Sequence, residues 1–550
     1  MLGIKDNLWV KCDDFSVCVK EDAFDIVTCN ERFFTLPVRS ALPVNGVNDV
    51  DMDFLSREIT QSEDCTNVIW KTRSSLWVKK EYCLTITKTE FSYCIRVFGN
   101  GNPQEVRYFW ENENKKTGGI YDAAGYLLPM PVQGIDNHCY TMAQDAELKL
   151  HFMVPPMLCY PFYMEDCSGW FGLGIAAKEG QYNFDSFRYQ NKFGKMRLTL
   201  NLYGYTQVHE MWETPNILGC PGQDGVDVLS RYSKWHYEHG CKKNASKIAD
   251  WWKGPLFCGW GEQAYMCEKY KTSMYNAANQ KTYTEMSEHL DELMLEPTAI
   301  IIDDKWQKEY GVALPDEDKW PNLREFTEQE HKKGRKVVLW FKSWSCEGLP
   351  ADECLTLWSQ PVGADPTNPR YINRMEQTIR KLLSDEEGCY NCDGFKIDFA
   401  DCFPKGKGVC AYEKGIYGIE LVKRLLMLLY RSAKAVKPDA LINCSGCHPY
   451  FAEVTDQARL HDYHSTMRSV KSCMLFRKQM YSAALPDTLI DTDFPAFCGH
   501  KDSMKYIRYA PTLGVPDLYR LSNSEDCVFT DEDWDEVRKI WQEYRNTVCK

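Results

Sequence analysis

Up to residue 245, apolar and polar residues alternate in short runs. SLWVKKEYCLTITKT (75–89), FSYCIRVFG (91–99), AELKLHFMV (146–154) and MRLTLNLYGY (196–205) keep a period of two, as expected of strands with one face buried and one face wet. Turn-forming stretches such as FGNGNP (98–103) and KKTGG (115–119) lie between them. Many short strands at this spacing predict an all-β sandwich domain over residues 1–245. GLGIAA (172–177) faintly resembles a dinucleotide loop but lies amid β-rich sequence with no following helix, so it reads as a turn.

From Pro255 the rhythm changes to strand, loop, helix. The runs PLFCGW (255–260), AIIID (299–303), KVVLWF (336–341), GFKID (394–398), ALINCS (440–445), ARLHD (458–462), DTLID (487–491) and the weaker APTLGV (510–515) are short and apolar, as strands of a parallel sheet buried on both faces should be. Helical stretches such as SEHLDELMLE (287–296), NRMEQTIRKLLSD (373–385) and IELVKRLLMLLYRSAKAV (419–436) separate most of them. Eight such units predict a (β/α)8 TIM barrel over residues 250–550. Thr530 and Asp533 sit as a capping box ahead of a C-terminal helix.

The chemistry is concentrated where these runs end. AIIID continues into Asp303, Asp304 and Trp306, PLFCGW ends in Trp260, and KVVLWF is followed by Lys342 and Trp344. GFKID ends in Asp398, ALINCS contains Cys444, ARLHD ends in Asp462, and DTLID leads to Asp491 and Asp493. In a parallel barrel all these ends open onto one face. A single aspartate there is as easily a helix cap, but six converging carboxylates interleaved with Trp and Lys suit a sugar. Hydroxyls hydrogen-bond to carboxylates and ammonium groups, and C–H faces lie against indole. Two carboxyls roughly 5–5.5 Å apart hydrolyse a glycoside with retention, and Asp398 and Asp462, on the fourth and sixth strands, are the pair proposed. Lys396 shares a face with Asp398; it either holds Asp398 ionised, binds a hydroxyl, or contacts a neighbouring carboxylate inside the barrel.

Composition narrows the class of partner. A net charge of −13 over 550 residues argues against nucleic acid, and no polybasic run or long apolar stretch points to a membrane. The charged N-terminus does not read as a signal peptide. The 25 cysteines, spread along the chain, read as reduced thiols in a cytoplasmic protein. Cys389-x-x-Cys392 and Cys444-x-x-Cys447-His448 lack the four placed ligands of a structural zinc site, so neither metal nor cofactor is expected. Oligomeric state is not legible.

The motifs AIIIDDKWQ (299–307), DGFKID (393–398), CSGCHP (444–449), RLHDYHS (459–465) and DTDF (491–494), in this order, resemble the clan of retaining α-galactosidases. The nearest pattern is that of glycoside hydrolase family 36 in its raffinose synthase and alkaline α-galactosidase branch. The resemblance covers the barrel, about half the chain. It implies a retaining, exo-acting α-galactosidase with Asp398 as nucleophile and Asp462 as acid/base. Asp456 is the rival for the second role. Asp303, Asp304, Trp306, Lys396, Arg459, Asp491 and Asp493 fall on the family's sugar-contacting motifs, and Trp260, Lys342 and Cys444 are read as further substrate contacts. Two positions depart from the pattern. Lys305 stands where the motif has glycine, and Lys342 where hydrolase relatives often carry an acid, which opens an acidic or sulfated sugar as an alternative to galactose. Transfer to a sugar acceptor and a non-catalytic sugar-binding barrel are the other readings.

Overall fold

The computed structural model describes residues 7–28, 31–110, 127–129, 132–133, 139–140, 145–149, 158–164, 169–192, 195–342, 344–460, 470–493, 499–525 and 527–548. Its second half is an eight-stranded parallel sheet: β1 (Leu256–Cys258), β2 (Ala299–Ile302), β3 (Lys336–Phe341), β4 (Gly394–Ile397), β5 (Leu441–Cys444), β6 (Gln457–Arg459), β7 (Leu489–Asp491) and β8 (Asp517–Leu518). Neighbours pair in chain order from β1 to β7, and β8 pairs back onto β1. A parallel bridge from Asp491 to Val515, just ahead of β8, draws the two ends together into a TIM barrel. Most of these strands are buried throughout, each aliphatic side chain contributing about 1.5–3 kcal/mol by leaving water. That is why the runs carry no period-two polarity.

The helices follow from local signals. α1 (Gly225–Glu238), α2 (Trp260–Tyr270), α3 (Gln280–Glu292), α4 (Leu323–Lys332), α5 (Pro369–Leu383), α6 (Ile419–Val436), α7 (Val470–Ala484), α8 (His500–Leu513) and α9 (Asp531–Val548) run in chain order. Asn368 caps α5 by accepting from Arg370 N, with proline in the first turn, and Tyr371, Met375, Ile379 and Leu382 form its buried stripe. The capping box ahead of α9 is present: Thr530 Oγ1 accepts from Asp533 N at 3.3 Å, and Asp533 Oδ2 accepts from Thr530 N at 2.8 Å.

Antiparallel sheets fill the part ahead of the barrel, the largest with nine strands. Lys79–Ile86 and Phe91–Phe98 lie within the predicted runs, and Lys195–Asn201 overlaps the run over 196–205. The AELKLHFMV run yields a strand over Asp145–Lys149, and its remainder lies outside the described residues.

Two expectations are corrected. GLGIAA is no turn but, up to Ala176, the second half of a strand, Gly169–Ala176. Its glycines let α1 approach: a Cβ on Gly172 would meet Val228 Cγ1 at 2.3 Å, and one on Gly174 would meet the Tyr232 ring at 2.5 Å. APTLGV is not the eighth strand. Ala510–Leu513 closes α8, with Ala510 and Leu513 on its buried face, and the strand is the two-residue Asp517–Leu518 beyond it.

The β-rich part grips the loop that follows β4. Ile419 N donates to Phe184 O, Glu420 N to Tyr182 O and Tyr417 N to Asn183 Oδ1, and Tyr205 Oη accepts from Gly408 N. No disulfide joins the described cysteines, and no helix among the described residues is long and apolar enough to cross a membrane.

Candidate active site

Strand ends place the polar side chains at the C-terminal mouth of the barrel. In the sheet register Trp340, Lys396, Asn443 and Gln457 stand side by side on β3, β4, β5 and β6. Lys396 is the hub of the interior. Its Nζ lies 2.8 Å from Asp303 Oδ2, 3.0 Å from Tyr519 Oη and 3.3 Å from Cys258 Sγ. Burial works against its charge, but Asp303 outweighs this and holds the ammonium pKa above its ordinary value. Of the roles weighed for Lys396, the direct contact is with a neighbouring carboxylate, while its charge also reaches Asp398.

Asp398 stands one residue beyond β4, its side chain 14% exposed. Oδ1 accepts from Arg459 Nη2 at 2.6 Å and from Phe399 N at 2.9 Å, and Oδ2 accepts from Trp340 Nε1 at 3.0 Å. Burial pushes its pKa up. The Arg459 guanidinium, then Lys396 and the two N–H donors, more than reverse that, so the carboxylate is held below its usual range. Arg459 is itself buried and reaches Asp493 Oδ2 at 3.6 Å. Asp493 accepts from Tyr519 Oη and donates its backbone N–H to Asp491 Oδ1 at 2.9 Å. Asn443 Nδ2 donates to Asp491 Oδ2 at 2.7 Å.

Asp304 is set apart from this network. Its Oδ1 accepts from Tyr310 Oη at 2.7 Å. Burial pushes its pKa up to about 7; Tyr310 and Lys342 oppose the shift, and the charges of Asp303 and Asp398 add to it. Asp491 is pushed up to about 6 by burial and by Asp493. Asp517, on β8, is buried with no hydrogen-bond partner on either carboxylate oxygen among the described residues, and burial with the nearby Asp491 and Asp493 keeps its pKa well above the ordinary value.

The structure therefore brings Asp303, Lys396, Asp398, Arg459, Asp491 and Asp493 into one network. Asp304 and Lys342 meet at Tyr310, with Lys342 Nζ 4.9 Å from that ring's centroid. Cys444 is buried, its thiol pKa raised by that burial, and it feels the charges of Arg459 and Asp398. Trp306 is packed away, fully buried with its N–H given to Trp340 O at 2.7 Å. Trp260 opens α2 half-buried and faces Tyr275, ring centroids 6.5 Å apart. Asp456 lies at the opposite end of β6 from the mouth, bound to Lys434 at 2.7 Å, to Asn244 Nδ2 at 2.9 Å and to Ile442 N at 2.8 Å. Asp462, with His461 and His464, lies outside the described residues.

Sequence reasoning missed Trp340, Tyr310, Tyr519 and Asn443. Trp340 was within reach, since it sits two residues before Lys342 and so shares its face. Tyr519 was hidden by the misplaced eighth strand. Among the described residues, no three His, Cys, Asp or Glu side chains gather as a metal site would require.

No family model matches the chain, and no curated protein matches it in sequence. Solved structures do match in shape. TtGalA, an α-galactosidase from Thermus thermophilus solved with stachyose, superposes with a TM-score of 0.52 at 13% identity, covering 82% of this chain and 97% of that one. A GH31 family sulfoquinovosidase from E. rectale gives 0.52 at 12% identity over 96% of this chain and 82% of its own. The galactosidase domain of the α-galactosidase-sucrose kinase AgaSK gives 0.50 at 12% identity over 94% and 74%. The chain thus shares with these proteins the fold of a TIM barrel preceded by an all-β domain.

Proposed function

We propose that this chain is a retaining, exo-acting α-glycosidase of the α-galactosidase type, close in its motifs to glycoside hydrolase family 36. The observation that carries the reading is the Asp398 carboxylate at the end of β4, kept ionised in a buried mouth by Arg459 and Trp340. The fold shared with known α-glycosidases supports it. The barrel from residue 250 onward is read as the catalytic part, with the β-rich first 245 residues flanking it.

In this mechanism Oδ1 of Asp398 is fixed by Arg459 and Phe399 N, which leaves Oδ2, held among the described residues by the Trp340 indole, to attack the anomeric carbon. Asp462 gives its proton to the departing oxygen. A glycosyl ester on Asp398 forms, and water deprotonated by Asp462 then releases the sugar with its α configuration intact. Asp303 and Asp304 are read as hydroxyl acceptors and Lys396 as the group that positions Asp303. Arg459 orients the nucleophile and keeps its proton off.

Nitrophenyl α-hexopyranosides supply the test. The parent protein should hydrolyse at least one, with the α-anomer seen first by proton NMR, and Asp398→Asn should lower kcat by about 10⁴-fold or more, as loss of a nucleophile does. Full activity in that variant, or release of the β-anomer, would overturn the assignment.

A further inference from the structure

Two lysines stand at the mouth, and the structure treats them differently. Lys305 Nζ lies 2.9 and 3.1 Å from the two carboxylate oxygens of Glu347, and 4.3 Å from the centroid of the Tyr310 ring. Its charge is already answered. Lys342, just past the end of β3, has neither a carboxylate at ion-pair distance nor a hydrogen-bond acceptor among the described residues. It is surrounded by rings instead: its Nζ is 4.9 Å from the centroid of Tyr310, 4.9 Å from Trp344 and 5.5 Å from Phe399. Aromatic faces attract a cation and shield it from water, yet they leave the directional bonding of the three ammonium N–H groups unmet.

A second observation points the same way. The ring of Trp344 lies beside that ammonium, and its own Nε1–H is buried with no acceptor among the described residues. A buried donor without a partner costs free energy, which a bound acceptor recovers. The charge balance of the mouth adds a third. Asp303, Asp304, Asp398, Asp491, Asp493 and Asp517 are gathered there, while Lys396 is paired with Asp303 and Arg459 with Asp398 and Asp493. An anion would enter such a site only beside a cation not already spoken for.

We propose that Lys342 binds an anionic substituent of the substrate, a carboxylate, sulfate or sulfonate, with the Trp344 indole N–H as a companion donor. The proposal rests on the glycosidase reading above and deepens it: the site selects for a negatively charged α-glycoside over its neutral parent. Lys342 would act by a charge-assisted hydrogen bond, which its field on Asp304 and Glu347 does not replace.

The test compares nitrophenyl α-hexopyranosides, in galacto and gluco configuration, whose C6 carries a hydroxyl, a carboxylate, a sulfate or a sulfonate. The parent should favour one of the anionic series by at least about tenfold in kcat/KM. Lys342→Met should lower kcat/KM on that substrate about 10- to 100-fold further than on the neutral one, the effect of losing one charge-assisted bond, and Lys342→Arg should restore most of the preference. A parent that favours the neutral sugar, or a Lys342→Met variant that loses the same factor on both, overturns the proposal. If no glycoside is cleaved, the glycosidase reading fails by itself. Calorimetry of the methyl glycosides against the parent and Lys342→Met then decides the anion site: it stands if the parent binds the anionic sugar more tightly and the variant does not, and falls if the two sugars bind alike.

Discussion

The two ends of the barrel use the same residue type to opposite effect. Asp393 stands directly ahead of β4 and Asp398 directly behind it. Asp393 is bonded to His331 at 2.6 Å, to Lys336 and Lys437 at 3.2 Å each, and to Val337 N at 2.9 Å. Burial would raise its pKa, but His331 and the two lysines pull it down to about 2. Asp456, ahead of β6, is likewise tied to Lys434, Asn244 and a backbone N–H, though burial still lifts its pKa. At the mouth the balance reverses, with Asp304 near 7, Asp491 near 6 and Asp517 without a hydrogen-bond partner among the described residues. A carboxylate whose hydrogen-bonding capacity is filled by the protein stabilises the fold. One left partly unfilled keeps capacity for a ligand or a proton, and here such groups gather where the loops of a barrel open.

Four variants would break or sharpen this contrast. The largest effect is expected from Asp462→Asn, which should cost about 10²–10⁴-fold on a glycoside with a poor leaving group and far less on a dinitrophenyl glycoside, since that leaving group needs no proton. Equal losses on both, measured as kcat/KM, would remove Asp462 from the acid role.

Asp393→Asn should cost about 2–3 kcal/mol of stability, below the figure for a fully buried pair because its lysines reach water, with kcat of the folded protein within about threefold of the parent. The sign with pH follows from the depressed pKa. Asp393 contributes stability above its unfolded value near 4, and the contribution is lost as pH falls toward about 2. The gap in melting temperature between variant and parent should therefore close on acidification; a gap that widened would contradict the assigned pairing.

Asp304→Asn should lower kcat/KM about 10- to 100-fold as a hydroxyl acceptor is lost, and should erase a titration near pH 7 from the profile. A carboxyl whose folded pKa is raised binds more protons folded than unfolded between about 4 and 7, so its contribution to stability declines as pH rises through that window. The variant should thus gain on the parent in thermal melting at pH 8 relative to pH 5. If Asp304→Asn instead hit poor leaving groups selectively, it would be the proton donor in place of Asp462.

The smallest effect is expected from Lys305→Met, at most about threefold on any substrate, because its pair with Glu347 is half in water. A loss as large as that of Lys342→Met would mean that both lysines face the ligand.

The apolar runs of β1 to β7, the stripe of α5 and the capping box of α9 were legible because each depends on residues within a few positions of one another. The placing of Lys396 two residues from Asp398 was legible for the same reason. The eighth strand was not: two residues of β8 carry no period, and the apolar residues Ala510 and Leu513 belong to a helix face. Nor did the glycines of GLGIAA announce that Val228 and Tyr232 of α1 would press on them.

By itself, then, the sequence determined the strand–helix rhythm of the first seven units, the aspartates that follow several of those strands and the order of its motifs. Closure of the barrel decided which charges meet: Asp303 with Lys396, Asp398 with Arg459, Tyr519 with Asp493, Lys305 with Glu347, and Lys342 with a cluster of rings. Periodicity is a property of neighbours along the chain and is fixed by the backbone's local geometry. Partnership across a barrel joins residues such as Lys396 and Tyr519, 123 positions apart, and depends on how every intervening strand and helix packs.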